Sequence, residues 1–468
     1  TTDRLKKQEK GVNPLRFRPN VVNLFKHKQF STMGKDSEKK LVGQPIFKQI
    51  MKIIPRDKFD ELVISRQSDK YYKSCFSWEQ LVIMLFGIFS RCDSMSETCA
   101  AMSALKGKLN YLGMDEALPQ STVGDALRNR NEELFRLFYF ALTAYFSPLL
   151  SVSRRKKYRK EGVSFEEFYA FDSSTITLFS EIMKGVGRNR KDDGKKKGGL
   201  KVHMLTDIHA DTPQFVKISE ARMHDKNFLQ CLNPATGSML VFDKAYNYYL
   251  QFARWTAAGV NFVCRLKDNA KYEVQGEPLF EKKLNKDEFG VYKVEHIHLK
   301  YKETVEIEEK GKKDKKGKKK KTRKKKVVKT LCLRLVWYKD EQGRKYKFIS
   351  NNWEISAEEV ALIYKCRWSI ETTFKKLKQN FQLTYFYSDT ENGIKTQVWC
   401  TLIAYLLLQV IQTKSESTKA FSTIAAVVRI HLTSHLDLFW AVTESGRTYE
   451  KRSKGKNKSP TTAQLTLF

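Results

Sequence analysis

The chain lacks any CxxC pair: its eight cysteines, at 75, 92, 99, 231, 264, 332, 366 and 400, are scattered through 468 residues. That spacing argues against a disulfide framework or a zinc site and suits a reducing cytosol. No apolar run is long enough for a bilayer. The longest, Val398–Ile411, is interrupted by Gln409 and predicts a buried core helix, so no membrane partner is expected. The N-terminus is polar and basic, unlike a signal peptide. Because the chain starts on Thr1 rather than Met, its first residues are read as a processed or engineered end. There is no GxxxxGK[ST] segment for NTP binding, no Ser/His/Asp arrangement with useful context, and no internal repeat. Acidic charge is also short, at 52 Asp+Glu against 86 Lys+Arg, for a formal net charge of +34. So large an excess calls for a polyanion, nucleic acid above all; a merely soluble basic protein would carry the self-repulsion without the gain. Lys310–Lys329 contributes a net +13, and the remaining +21 is still strongly basic.

What is present fits two or three domains, with 41% hydrophobic and 12% aromatic residues to build their cores. Residues 1–36 read as a basic flexible arm. Residues 37–151 have helical patterning, with a capping box expected at Ser77 and Gln80 and a further helix start at Pro119-Gln120-Ser121. The polar face of that second helix carries Arg128 and Arg130, which suits helix-turn-helix DNA binding; a plain helical packing domain is the alternative. Ser153–Lys160 (SRRKKYRK) reads as a linker or phosphate-contacting strap. Strands are expected at Phe168–Asp172, Leu200–Ile208, Gln214–Ala221, Met239–Asp243 and Val260–Leu266, with a helix over Asn247–Ala258, so 152–269 reads as α/β. The alternation in Tyr292–His298 and Leu331–Tyr338 makes 270–350 a β-rich insertion, with the Lys run 310–329 as a disordered hairpin tip. Ser356 and Glu359 open a long helix to about Asn380, helices fill the rest of 351–440, and 441–468 is a basic tail.

Three acids stand out. Asp172 and Asp243 each end an apolar strand, where a charge is costly unless paired or metal-bound. Taken singly, either also suits a turn or cap. On the long helix, Tyr364, Arg367, Glu371 and Lys378 occupy offsets 0, 3, 7 and 14. At about 100° per residue they share a face roughly 60° wide. One acid among two cations and a phenol can serve as a metal ligand flanked by phosphate-holding groups; a solvent-facing helix laced with salt bridges is the alternative.

The spacing Y-x2-R-x3-E-x6-K filled by Tyr364, Arg367, Glu371 and Lys378 resembles the signature of the insertion-sequence-four family of bacterial DDE transposases. Asp172-Ser-Ser-Thr, Asp243-Lys-Ala-Tyr, Phe348-Ile-Ser-Asn-Asn and Arg367-Trp-Ser-Ile-Glu371 agree with it, over about 165–415. The resemblance implies an α/β ribonuclease-H-like catalytic core, a mixed five-stranded sheet with helices, carrying the β-rich insertion and preceded by the α-helical DNA-binding region. It implies that Asp172, Asp243 and Glu371 hold two Mg²⁺ (Mn²⁺ as a substitute) for DNA cleavage and strand transfer. Tyr364, Arg367 and Lys378 would contact phosphates, and Lys244, Arg128 and Arg130 are grouped with the DNA contacts. Tyr346 would be the aromatic that stacks on a flipped base, with Trp337 and Trp353 as rivals and core packing as the alternative for all three. Lys201, His203 and His224-Asp225 fall in family-like blocks; neither histidine has metal-ligand spacing to a partner, so both read as structural or as supports behind the ligating residues. Double-stranded DNA, as terminal inverted repeats and target, a homodimer on that DNA, and a bacterial cytoplasmic location complete the expectation. A transposase-derived DNA-binding protein without cleavage, and a metal-dependent nuclease without strand transfer, are the alternatives.

Overall fold

In the computed structural model of the protein, the described residues are 41–160, 162–163, 165–177, 187–189, 196–220, 228–285, 287–308, 322–381, 383 and 385–444. The arm 1–36, the part 310–321 of the Lys run, His224-Asp225 and the tail from 445 lie outside them.

Helices α1 (Ile46–Met51), α2 (Arg56–Arg66), α3 (Ser77–Ser90), α4 (Met95–Ser103), α5 (Gln120–Asn129) and α6 (Glu133–Lys160) come first. Strands β1 (Phe168–Thr177), β2 (Gly187–Asn189), β3 (Lys196–Asp207), β4 (Thr212–Glu220) and β5 (Met239–Phe242) follow, then α7 (Tyr249–Ala257) and β6 (Asn261–Arg265). Next are β7 (Glu273–Val274), β8 (Phe280–Glu281), β9 (Gly290–Glu308), β10 (Thr322–Lys339) and β11 (Lys345–Ser350). Helices α8 (Ala357–Cys366), α9 (Trp368–Asn380), α10 (Glu391–Lys414), α11 (Phe421–Ile430) and α12 (Leu438–Glu444) end the chain. Two compact units result, one from 154–174 and 201–371, the other from 41–153, 175–200 and 372–444.

The first unit is built on a sheet with β1, β5 and β6 parallel at its centre, Phe171 pairing Phe242 and Phe242 pairing Cys264. Every residue of β5 is buried, the unbroken apolar run expected of a parallel strand covered on both faces. The insertion does not stand apart: among the described residues its strands β7–β11 extend the same sheet as β1, β3, β4, β5 and β6. Strand β11 pairs antiparallel with β6, β10 with β11 and β9 with β10, so the ladder runs on from the core edge into the insertion. Along β9 and β10, Ile297, Leu299, Leu331, Leu333 and Leu335 turn inward into one core with Phe252 and Trp255 of α7. The Lys run is corrected: 322–329 is strand, paired with 301–308, rather than disordered tip.

The second unit is helical, and α10 is its axis. This helix is long and apolar enough to cross a membrane by length and composition, yet 94% of its apolar window is buried. It packs on α3, α5, α11 and α12 as a core helix. Three local expectations change. Ser153–Lys160 is the last part of α6, not a linker. The first capping box is not made: Phe76 is the N-cap and has no side-chain acceptor, so only Glu79 caps, accepting from Phe76 N–H at 2.8 Å, while Ser77 donates its hydroxyl to Asp69 at 2.6 Å. Arg130 is no surface cation: it is 2% exposed. Its guanidinium pairs with Asp69 at 3.0 Å, donates to Cys75 O at 2.8 Å and to Gln80, and lies 4.0 Å over the Tyr72 ring. With those donors committed it ties the 68–80 segment to the end of α5 and is not available to a phosphate. Arg128 is exposed, beside Asp125 at 2.9 Å.

Replacing Arg130 by Ala is therefore expected to destabilise the protein by about 3 kcal/mol, since Asp69 and a buried carbonyl lose their partner. Arg128→Ala is expected to change stability by less than about 0.5 kcal/mol. Urea unfolding of both variants checks the contrast, and equal losses would contradict it.

Candidate active site

The parallel register of β1 and β5 brings two of the acids together. Phe171 pairs with Phe242, so Asp172 and Asp243, one residue further on, stand side by side; Asp243 follows the end of β5 as expected, but β1 continues to Thr177, so Asp172 lies within its strand rather than at its end. Burial of Phe168, Ala170 and Phe171, and of all of β5, anchors both acids. After Asp243 the chain makes a short 3₁₀ turn, Lys244–Tyr246. Asn247 holds that turn, donating to Arg265 O and to the buried Cys264 Sγ, both at 3.0 Å.

The third acid comes from the helices that follow the insertion. Ser356 and Glu359 cap α8 reciprocally, at 3.1 and 2.6 Å, as the sequence predicts. Val360, Ile363 and Cys366 form its buried face, against β5, β6, β9, β10 and β11. The single long helix expected is corrected to two, meeting at Arg367, which keeps helical dihedrals. Glu371 lies in the first turn of α9, where the helix dipole favours a carboxylate.

Arg367 is the hub. Its Nη2 donates to Glu371 Oε1 at 2.6 Å and its Nη1 lies 3.8 Å from Asp172 Oδ2. Its guanidinium sits 5.6 Å from the Tyr364 ring. Burial disfavours its charge, but Tyr364, Glu371 and Asp172 outweigh that and raise its pKa. Tyr364 donates to Asp243 Oδ1 at 3.3 Å, and burial, with the Asp243 charge, pushes its phenol up. Asp172 accepts from Ser173 N–H at 2.8 Å and from Tyr246 at 3.4 Å. Burial pushes Asp172 up to about 6, and the charges of Glu371 and Asp243 push the same way, against Ser173 N–H and Arg367. Tyr246 is a functional neighbour that the sequence reading passed over, although it stands in the Asp243-Lys-Ala-Tyr block.

All three predicted acids, with Tyr364 and Arg367, thus meet in one place. Their oxygens do not all lie within 4.8 Å of one another; Arg367 and Tyr364 stand between them. An all-oxygen, mutually repelling set on a strand, the end of its neighbour and a helix start suits hard divalent cations. Such cations would offset the burial cost of the Asp172 charge and its repulsion by Glu371 and Asp243.

The other predicted residues have separate surroundings. Lys378 lies on α9 and donates to Thr175 O at 3.2 Å, its pKa lowered by burial. Lys244 pairs with Asp268 at 2.9 Å on the surface. Tyr346 is half-buried, stacked on Phe348 with centroids 5.8 Å apart, and Phe348 lies 4.5 Å from Tyr364. An aromatic ladder therefore runs from Tyr346 to the phenol on Asp243. Trp337 is committed to Glu295, at 2.7 Å, and to Lys347 over its ring. Trp353 meets His296 edge-on. His203 is buried between Ser219 and the Phe228 ring, as a structural residue is.

Residues 163–407 match the transposase DDE domain family, and 42–115 match a domain family of unknown function. A protein of Sinorhizobium fredii named as transposase y4zB is 26% identical over 47% of this chain and 55% of its own. One of Geobacillus stearothermophilus, named for insertion sequence element IS5377, is 27% identical over 58% of this chain and 63% of its own. A Synechocystis protein named for insertion sequence element IS4SA is 22% identical over 69% of this chain and 80% of its own. The chain thus spans 55% and 63% of the length of the first two relatives. A solved piggyBac transposase synaptic complex with hairpin DNA aligns at 11% identity and a TM-score of 0.37, too low to carry a structural argument.

The floor beneath Asp243 can be tested through Cys264, whose thiol burial pushes well above its ordinary range. In native protein an alkylating reagent is expected to label the exposed Cys231 and leave Cys264 untouched until denaturant is added. Mass spectrometry of the labelled peptides reads this, and native-state labelling of Cys264 at the rate of Cys231 would refute it.

Proposed function

The chain belongs to the transposase DDE-domain family, and from that premise we propose that it excises and inserts a mobile DNA element. It binds the terminal inverted repeats, hydrolyses the phosphodiester at the element ends and joins the freed 3′-OH to target DNA. The observation that carries the reading is the meeting of Asp172, Asp243 and Glu371 around Arg367. Within the family, the Tyr364/Arg367/Glu371/Lys378 spacing favours the insertion-sequence-four branch.

Asp172, Asp243 and Glu371 are the residues that would hold two divalent cations, Mg²⁺ with Mn²⁺ as a substitute. Bound there, the cations supply nucleophile activation and neutralise charge on the leaving oxygen. The chain's own residues bind and orient. Arg367 holds two of the carboxylates and presents a planar fork suited to a phosphate oxygen once a cation takes its place beside the acids. Tyr364 and Tyr246 fix the rotamers of Asp243 and Asp172 by hydrogen bonds, so the donors are oriented before DNA arrives. Lys378 and Lys244 add charge for the backbone. Tyr346, at the outer end of the aromatic ladder, offers a face to an unstacked base. Helices of the N-terminal region bind the ends, with Arg128 as an exposed contact, and two chains act together because two ends must be cut. A bacterial cytoplasm is the setting.

Cleavage and joining on the element's own ends with Mg²⁺ test this. Asp172→Asn and Glu371→Gln are each expected to lower cutting by at least about 10³-fold, as the loss of several kcal/mol of charge stabilisation implies. Undiminished cutting by either variant would overturn the assignment. Nicking without joining would indicate a nuclease, and end binding without cutting a transposase-derived binding protein. Deleting 310–321, which removes nine lysines and one aspartate, is expected to weaken DNA binding at low salt and flatten its salt dependence while sparing end recognition. An unchanged salt slope would show that the run does not touch the backbone.

A further inference from the structure

A second group of ligating side chains lies on the insertion. His296 and His298 are two residues apart on β9, so both project from one face, and the register sets Cys332 of β10 opposite His298. A ring nitrogen of each histidine and Cys332 Sγ all lie within 4.8 Å of one another. The two rings are 5.3 Å apart and nearly perpendicular, so they do not stack on each other. His296 Nε2 is buried and has no hydrogen-bond partner, a cost that some ligand would remove. Strand β7 places Glu273 across β9 from His298, in the same row as Cys332, where it holds Lys300.

We propose that His296, His298 and Cys332 form a binding site for a borderline-soft divalent transition ion, zinc foremost, distinct from the carboxylate site. Two imidazoles and a thiolate are a zinc donor set, and around a tetrahedral zinc neighbouring donors stand about 3.5 Å apart. Side-chain rotations therefore suffice to gather atoms already within 4.8 Å. Glu273, released from Lys300, is placed for the fourth position. Binding breaks the S–H bond of Cys332, forms the metal–sulfur bond and releases the proton to solvent. Of the neighbouring cations, Arg334, across from His296, donates Nη1 to Ile355 O at 2.8 Å while its Nε and Nη2 have no hydrogen-bond partner, and Lys300 is held by Glu273 until that carboxylate turns to the ion. Hard Mg²⁺ prefers oxygen donors, so the two sites sort the ions by chemistry. The ion joins β9 to β10 within the ribbon that leads to the Lys run.

Cobalt(II) added to the full-length apo protein tests the proposal. A thiolate-to-cobalt charge-transfer absorption is expected, retained in Asp172→Asn, displaced by Zn²⁺, and lost in Cys332→Ser. His298→Gln is expected to weaken it. Independently of any variant, Zn²⁺ is expected to protect Cys332 from alkylation while Cys231, also exposed, reacts as before. No charge-transfer band in the wild type, the same band in Cys332→Ser, or equal alkylation of Cys332 with and without Zn²⁺ would each overturn it.

Discussion

Three carboxylates in one partly buried place repel one another, and Arg367 is what lets them stand together in this structure. It bonds to Glu371 and lies beside Asp172, while Tyr364, one turn earlier, reaches Asp243. Burial, followed by the charges of Glu371 and Asp243, keeps Asp172 shifted upward despite the guanidinium, which cannot cancel three negative charges. The arrangement is therefore electrostatically unfinished. Its remaining negative potential favours whatever brings further positive charge, and the oxygen chemistry narrows that to hard cations.

The position of Arg367 depends in turn on the insertion. Helix α8 rests on β6 and on β9, β10 and β11, so the helix bearing Tyr364 is supported partly by strands that lie, in sequence, between the second acid and the third. Because β11 continues the ladder from β6, the insertion is continuous with the core sheet rather than tethered by a linker. The Tyr346–Phe348–Tyr364 ladder passes along this seam. Movement of β11 would therefore be felt at the phenol on Asp243 through packed rings.

How much of this was legible in the sequence follows from which signals are local. Burial of β5 and the reciprocal cap at Ser356 and Glu359 are written in consecutive residues, and both were readable. So was the shared face of Tyr364, Arg367 and Glu371, since helical geometry follows from spacing alone. Register is another matter. That Phe171 pairs with Phe242 is what makes Asp172 and Asp243 neighbours, and nothing in either strand announces its partner. Without the family resemblance each acid could equally have been a turn residue. Arg130 failed for a related reason: an amphipathic pattern places it on the polar side of α5, but Asp69 and Gln80 lie 61 and 50 residues away in sequence and draw it inward. The joining of the insertion to the core sheet was not legible because alternation shows that strands exist without showing which edge they join.

The histidine–cysteine group makes the same point from the opposite side. Scattered cysteines with no CxxC pair argued against zinc, and that argument treats ligand spacing as a property of one segment. In a hairpin the relevant spacing is across the ladder. Two histidines at alternate positions on β9 and one cysteine 34 residues later on β10 become neighbours only because the register pairs Cys332 with His298. A shift of that register by one residue would turn Cys332 to the other face, beside Ile297, and remove the group altogether. The inward row of Leu331, Leu333 and Leu335 opposes such a shift, since it would expose them all. The apolar packing that builds the insertion therefore also holds three ligating atoms together on its opposite face.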